Sequence, residues 1–181
     1  MLVPTLNTER LCLRQHELAD IPELTRLIGA REVVANLLRV PHPYTEQDAR
    51  TFITSRKQSS DADFAISLRS EDRLIGGIGL QIDSANPRAE LGYWLGVPYW
   101  GQGYATEAAR AAVEYGFQTL GLHRIWAGVF AGNSVSANVL RKSGMRHEGG
   151  LRQHVLKWGT FIDLEIYGLL RPEWESKNAL E

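Results

Sequence analysis

The stretch Glu90–Leu120, ELGYWLGVPYWGQGYATEAARAAVEYGFQTL, decides the fold. It opens with Leu91, Tyr93, Leu95 and Val97 alternating at period two, which predicts a half-buried strand. It turns through Pro98, Tyr99, Trp100 and Gly101-Gln102-Gly103. It then carries Ala105, Ala108, Ala109, Ala112, Val113, Phe117 and Leu120 at spacings of three and four, which predicts an amphipathic helix. A strand entering a helix through closely spaced glycines suits an anion. The first N–H groups of the helix have no internal partner, the macrodipole is positive there, and Gly101 and Gly103 put no side chain in the way. An ordinary strand-to-helix turn that needs glycine for positive φ accounts for the spacing equally well.

Two familiar phosphate loops do not fit. A Walker loop ends in Gly-Lys-Ser/Thr, whereas here Gly103 is followed by Tyr104 and Ala105. A dinucleotide fingerprint needs a third small residue where Thr106 stands. It also needs an acid about twenty residues further on, and Leu122-His123-Arg124-Ile125-Trp126 has none.

Composition bounds the rest. With 181 residues, 44% of them hydrophobic, the chain has room for a full core, and residues 1–181 read as one domain. A net charge of −1 supplies no global field for nucleic acid or an anionic membrane, so neither partner is expected. Cys12 is the only cysteine, which excludes an internal disulfide and fits a cytoplasmic setting. No apolar run reaches about 18 residues, and Met1-Leu2-Val3-Pro4 does not read as the start of a signal peptide. His16, His42, His123, His147 and His154 are scattered singly, so no metal is expected.

Upstream, Thr8–Arg14 alternates, with Leu11 and Leu13 on one face and Arg10, Cys12 and Arg14 on the other, and predicts the first strand. Asp20, with Glu23 three residues on and Pro22 in the first turn, predicts a capped helix that buries Ile21, Leu24, Leu27 and Ile28. A helix or loop through Val33, Val34, Leu37 and Leu38 ends at Pro41-His42-Pro43. Thr45 caps a helix carrying Ala49, Phe52 and Ile53. Phe64–Leu68 and Leu74–Leu80 read as strands, and the glycines of the second leave open a bulge or a close backbone approach. Downstream, Arg124–Phe130 makes a fifth strand. Asn133–Met145 follows as a helix with Asn133 as N-cap and Gly144 as its stop. Two last strands, around Gly150–Lys157 and Phe161–Leu170, lead to Arg171-Pro172-Glu173-Trp174.

Glu90–Leu120 resembles motif A of the GCN5-related N-acetyltransferases, and within them the RimJ/RimL ribosomal-protein acetyltransferase branch. The family's Arg/Gln-x-x-Gly-x-Gly/Ala loop falls on Trp100 to Ala105, with Trp100 standing where the wider family has Arg or Gln. Thr8–Arg14 is similar to the branch's T-x-R-L-x-L-R opening, Pro43-Tyr44-Thr45 to its P-Y-T helix entry, and Leu74–Leu80 to its L-I-G-x-I-G-L strand. Asn133–Met145 is similar to its N-x-x-S-x-x-V-L-x-K-x-G-F element, with Met145 in place of Phe. Asp163, after a G-x-x-x-D spacing, and the tail around Trp174 also fit. The resemblance implies an α/β fold: a mixed, mostly antiparallel sheet of about seven strands, helices on both faces, and a splay between the fourth and fifth strands.

The resemblance also implies chemistry. Forming an amide from acetyl-CoA requires a grip on the pyrophosphate, a polarised thioester carbonyl, a base for the ammonium and an acid for the thiolate. Gly101, Gln102, Gly103, Tyr104, Ala105 and Thr106 would hold the pyrophosphate, and Leu95 and Val97 would pair with pantetheine. Asn133 would reach the pantetheine arm, and Lys142 joins the cofactor site. The Tyr93 N–H would serve as oxyanion donor, a role worth about 2.7–4 kcal/mol. Glu90 is the candidate base, acting through water. On a regular strand its side chain faces away from that of Tyr93 unless a bulge intervenes, and a solvated strand-edge carboxylate accounts for it too. For the acid, the wider family often uses a Tyr where Leu140 stands, and Ser136 fits the serine of the RimL-like branch.

The expected activity is acetyl-CoA-dependent N-acetylation of a primary amine, such as a protein N-terminus. A small-molecule amine (polyamine, amino acid or drug) is one alternative, and a catalytically silent acyl-CoA-binding domain on the same fold is another. A basic protein tail would need exposed acids, for which Glu46, Asp48, Asp61 and Asp63 are available. The acceptor mouth is expected between Val33–Tyr44 and the last two strands, near His154, Trp158 and Phe161. A homodimer contact would use those aromatics equally well.

Overall fold

The alternating segments pair into one mixed sheet with a single discontinuity. The computed structural model describes residues 3–56 and 59–179, so Met1 and Leu2 of the opening stretch lie outside the described residues. Among these there are eight strands: β1 (Leu6–Asn7), β2 (Leu11–Arg14), β3 (Ala62–Leu68), β4 (Arg73–Asp83), β5 (Arg88–Leu95), β6 (Arg124–Phe130), β7 (Arg146–Lys157) and β8 (Thr160–Leu170). Their order is β1-β2-β3-β4-β5-β6-β8-β7. Every neighbouring pair is antiparallel except β5–β6, which is parallel.

Helices cover both faces. α1 (Ile21–Ile28), α2 (Arg31–Val34) and α3 (Glu46–Arg56) lie on one, where Leu24, Ile28, Val33 and Ile53 pack with Ala65 and Leu74 of the sheet. α4 (Tyr104–Gln118) and α5 (Ser134–Lys142) lie on the other, where Ala108, Ala112 and Leu140 pack with Leu11, Phe64, Leu91 and Ile125. α6 (Arg171–Asn178) follows β8 and sets Trp174 against Phe117 at 5.5 Å. The period-two and period-three/four patterns therefore become two apolar layers, one on each side of a shared sheet.

Several local expectations need correcting. Thr8–Arg14 is not one strand: Leu6–Asn7 folds back on Cys12 and Leu13 through a turn in which the Thr8 N–H donates to the Leu11 carbonyl, adding an edge strand to the expected seven. Asp20 does not pair with Glu23. Its carboxylate accepts the Glu17 N–H at 2.8 Å and takes both guanidinium arms of Arg14 at 2.8 Å, while Glu23 binds Arg26. The strand of the deciding stretch stops at Leu95; Val97 begins a 3-10 turn over Val97–Tyr99 and is exposed. In β4 both options hold. The register skips Ile75 opposite Ile66/Ser67, a bulge, and a Cβ on Gly76 would lie 2.3 Å from the Trp94 carbonyl, a close approach.

Candidate active site

The discontinuity is the gap between β5 and β6. Their parallel pairing runs from Arg88/Arg124 to Glu90/Trp126 and stops, although β5 continues to Leu95 and β6 to Phe130. On the far side of β5, the ladder with β4 is unbroken from Asp83/Arg88 to Gly76/Leu95. The Gly96 N–H donates to the Ile75 carbonyl at 2.9 Å, which sets the parity of that ladder. Backbone groups of residues 90, 92 and 94 point to β4, and those of Tyr93 and Leu95 point into the gap. The Leu95 carbonyl is already held there by the Trp100 indole N–H at 2.8 Å. This leaves the Tyr93 N–H and C=O and the Leu95 N–H as the ladder groups facing the opening.

One end of the gap leads to the glycine loop. Gly101 and Gly103 have φ of +75° and +83°, the left-handed region that penalises any side chain. Gly103 is the N-cap of α4 without a side-chain cap, and the Glu107 N–H bond to the Gly103 carbonyl (3.1 Å) is the first of the helix. The N–H groups of Tyr104, Ala105 and Thr106 thus have no intrahelical acceptor. Gln102 closes the loop by donating to the Pro98 carbonyl at 2.9 Å. An open groove of about 840 Å³ borders the loop, lined by Arg10, Gly103, Thr106, Arg110 and Lys142 among others. Arg110 donates to the Lys142 carbonyl at 3.0 Å, so α5's cationic end sits beside α4.

Sequence reasoning missed what steadies this loop. Arg10 donates to the Gln102 carbonyl at 2.9 Å and to Glu107 at 2.7 Å, with its guanidinium 4.5 Å from the Tyr104 ring centroid. Thr8 Oγ1 donates to the same Glu107 carboxylate at 2.6 Å. Glu107 in the first turn of α4 therefore turns away from the loop, toward the β1–β2 turn. The T-x-R-L-x-L-R signal marked Thr8 and Arg10, but their partner is distant in the chain.

Chemistry-bearing side chains flank the gap on opposite faces. On the α4–α5 face, the Tyr93 hydroxyl lies 2.7 Å from Ser136 Oγ and 3.1 Å from the Ser136 carbonyl. Burial pushes the Tyr93 phenol up to about 12 against the opposing effect of the Ser136 bond, so it stays protonated. Ser136 is set by Asn133, whose Oδ1 accepts the Ser136 N–H at 3.0 Å as the N-cap of α5. On the α1–α3 face stands Glu90, half-buried. No register shift separates it from Tyr93, so the two side chains do face apart. Between Glu90 and Trp94 on that face, a Cβ added to Gly92 would meet nothing within 4 Å, which leaves open floor beside Glu90.

A strap of residues 35–40 crosses this second face. Asn36 Oδ1 accepts from Asn133 Nδ2 at 3.0 Å, which engages the Asn133 amide at both ends. The Leu37 carbonyl accepts from Lys157 Nζ, and Arg39 donates to Gln81 Oε1 at 2.7 Å and lies 3.9 Å from Glu90. At the β7–β8 tip, the Trp158 ring lies 6.0 Å from that of His42, just past the strap. Phe161 does not share that position: it pairs with Leu156 on the opposite face of the hairpin from Lys157, and both are exposed. His154 falls in a bulge of β7, where the neighbouring Gln153 N–H is held by Asp163 at 2.7 Å. Of the acids expected at a basic acceptor's mouth, Asp48 joins Thr45 in a capping box, Asp61 and Asp63 both hold Arg56, and Glu46 is exposed in the first turn of α3.

Comparison with known proteins identifies the architecture. The family model described as an acetyltransferase (GNAT) domain matches residues 10–146. The chain belongs to the GNAT acetyltransferase family. It is an acetyl-transferring enzyme, and its RimJ/RimL-like opening, loop and α5 segments agree with that membership. Bacillus licheniformis "uncharacterized N-acetyltransferase p20" is 36% identical over 174 residues, 94% of this chain and 98% of that one. The crystal structure of a GNAT acetyltransferase from Bacillus anthracis superposes with a TM-score of 0.86 at 28% identity, covering 93% of this acetyltransferase and 99% of its own chain. A spermidine N-acetyltransferase from Vibrio cholerae, solved with CoA and spermine, has a TM-score of 0.82 at 21% identity over 93% and 99%, a likeness of fold. Among the described residues no helix is long and apolar enough to cross a membrane.

Proposed function

We propose that this enzyme moves an acetyl group from acetyl-CoA to the N-terminal amine of a polypeptide. The observation that carries the reading is the gap where β5 and β6 part, with an uncapped helix N-terminus at one end and a half-buried carboxylate, Glu90, beside the open floor at Gly92 at the other. The phosphates fit the loop because the free N–H groups of Tyr104, Ala105 and Thr106 converge where Gly101 and Gly103 carry no side chain. Arg110 and Lys142 place two cations along the adjoining groove, which Glu9 and Glu114 also line. The backbone of Tyr93 and the Leu95 N–H act as the strand edge for pantetheine, with the Tyr93 N–H aimed at the thioester oxygen. Val97 lies beyond the strand and contributes its turn alone.

The two faces divide the proton work. Glu90 takes a proton from the acceptor ammonium through a water molecule on the α1–α3 face. With the Tyr93 O–H donating to Ser136 Oγ, the serine proton is free to reach the departing thiolate on the other face. Tyr93 thereby supplies from β5 the phenol that Leu140, fully buried in α5, does not. A register that sets Glu90 and Tyr93 apart is what this arrangement needs, because acceptor and leaving group occupy opposite sides of the gap.

The charge inventory favours a single ammonium over a polyamine. Of the four acids named for a basic acceptor, Asp48, Asp61 and Asp63 are engaged within the protein, which leaves the exposed Glu46 as the one free to meet a second amine. Thiol release from acetyl-CoA should be measured against N-terminal peptides, free amino acids and spermidine, with mass spectrometry locating the acetyl group. Peptide N-termini should be the best acceptors, and a clear preference for spermidine would overturn the reading. Glu90→Gln should lower kcat by at least about 100-fold; a near-normal rate would return Glu90 to a surface role.

A further inference from the structure

The cations around the strap are poorly matched by acids. Arg10 pairs with Glu107, Arg14 with Asp20, Arg88 with Asp83, Arg124 with Glu148 and Arg146 with Glu173, whereas Arg110 and Arg171 donate to backbone carbonyls instead. Arg31, which begins the segment leading into the strap, makes no ion pair among the described residues and stacks 5.7 Å from the Trp158 ring centroid. Lys157 lies 5.0 Å from the same ring, is 7% exposed, and has the Leu37 carbonyl as its acceptor, with no carboxylate in reach. Arg39 spends its close bond on the neutral Gln81 and stands 3.9 Å from Glu90. The acids on the same elements are Glu90, the exposed Glu32 and Glu148 of β7, the last taken by Arg124.

A buried ammonium with a carbonyl and a ring face for partners has given up water without gaining an anion. Exposed guanidinium groups present a planar fork that matches a carboxylate. Arg39 stands beside Glu90, and Lys157 and Arg31 adjoin the same strap through the Leu37 carbonyl and the Trp158 ring, so a molecule whose ammonium meets Glu90 can offer an acid group to these cations. We propose that the acceptors of this acetyltransferase carry a carboxylate close to the amine, held by Arg39 with Arg31 and Lys157. The proposal rests on the acetyl-acceptor function given above and narrows it. An acidic residue following the N-terminal residue of a peptide and a free dicarboxylic amino acid share this chemistry.

The test compares kcat/KM for three peptides differing after an N-terminal serine (Glu-Glu, Gln-Gln or Lys-Lys), together with free glutamate and spermidine. The Glu-Glu peptide should exceed the Gln-Gln peptide by about tenfold and the Lys-Lys peptide by about 100-fold. Glutamate outperforming the peptides would assign the carboxylate to a free amino acid. The double change Arg31→Gln and Arg39→Gln should remove the acidic preference chiefly through KM, Arg39→Glu should reverse it, and Lys157→Met, which keeps the apolar stem, should weaken it. Equal rates for acidic and basic peptides, or a preference that survives all these variants, would overturn the proposal while leaving peptide acetylation intact. Acetyl transfer to no amine, in protein that binds acetyl-CoA, would remove the proposed function and this narrowing together.

Discussion

Replacing Gly103 by valine separates folding from cofactor binding. At φ +83° a side chain costs about 1–2 kcal/mol, and somewhat more when branched at Cβ. Packing adds little, because the nearest atom to the new Cβ is Arg10 Nη2 at 3.4 Å, the far end of a flexible side chain. A loss of about 2 kcal/mol leaves a domain stable by about 5–15 kcal/mol still folded. Binding suffers more. Relief of the strain rotates the peptide units on either side of position 103 and turns their N–H groups off the phosphate. Each hydrogen bond to a charged group is worth about 1.5–3 kcal/mol, so losing two raises Kd by about 10²- to 10⁴-fold. Calorimetric titration with acetyl-CoA reads the affinity and a thermal melt reads the fold. Gly121→Val is the matched control, since Gly121 has φ +68°, open space around a Cβ, and no place in the loop. It should lose similar stability and keep its Kd. A Gly103→Val protein that melts cooperatively and binds acetyl-CoA within about twofold of the parent would refute the placement of phosphate at this loop.

If the proposed proton route runs through their 2.7 Å contact, Tyr93→Phe and Ser136→Ala should each slow turnover and the double variant should be no slower than the worse single one; additive losses would argue against it. Trp158→Ala should raise KM for the amine and leave KM for acetyl-CoA alone, given its place against Arg31, His42 and Lys157. We propose the exposed Leu156–Phe161 face as a homodimer contact, in which case Phe161→Ser should sediment as a monomer; an unchanged oligomeric state would dismiss it. Burial holds the His16 imidazole down at about 4 against an ordinary 6.5. The unfolded chain therefore takes up the proton first, and stability should fall by about 3 kcal/mol as pH drops from about 6.5 to 4, then stop changing on this account. Denaturant melts at pH 7 and 4.5 should show that slope in the parent and lose it in His16→Leu.

The features legible in the chain were those written at short spacing. The alternation from Leu91 to Leu95, the two glycines and the alanine stripe of α4 are each fixed within a turn or a strand pair. So are the Thr45 and Asn133 caps, because local sterics and one face of burial decide them. Boundaries resting on a longer contact were missed. Val97 looks like the next strand residue until the indole of Trp100 folds back on the Leu95 carbonyl. Asp20 looks like the partner of Glu23 until Arg14 claims both its oxygens.

The site itself was assembled by tertiary structure. Arg10 and Glu107 are 97 positions apart, as are Asn36 and Asn133, and Lys157 meets Leu37 across 120. No periodicity links such pairs. They meet because the sheet places β2 beside α4's first turn and folds the β7–β8 hairpin against the strap. Register gave Glu90 and Tyr93 opposite faces in the sequence as in the structure. Where β5 and β6 part, at Glu90 and Trp126, depends on how two strands separated by a whole helix settle against different neighbours.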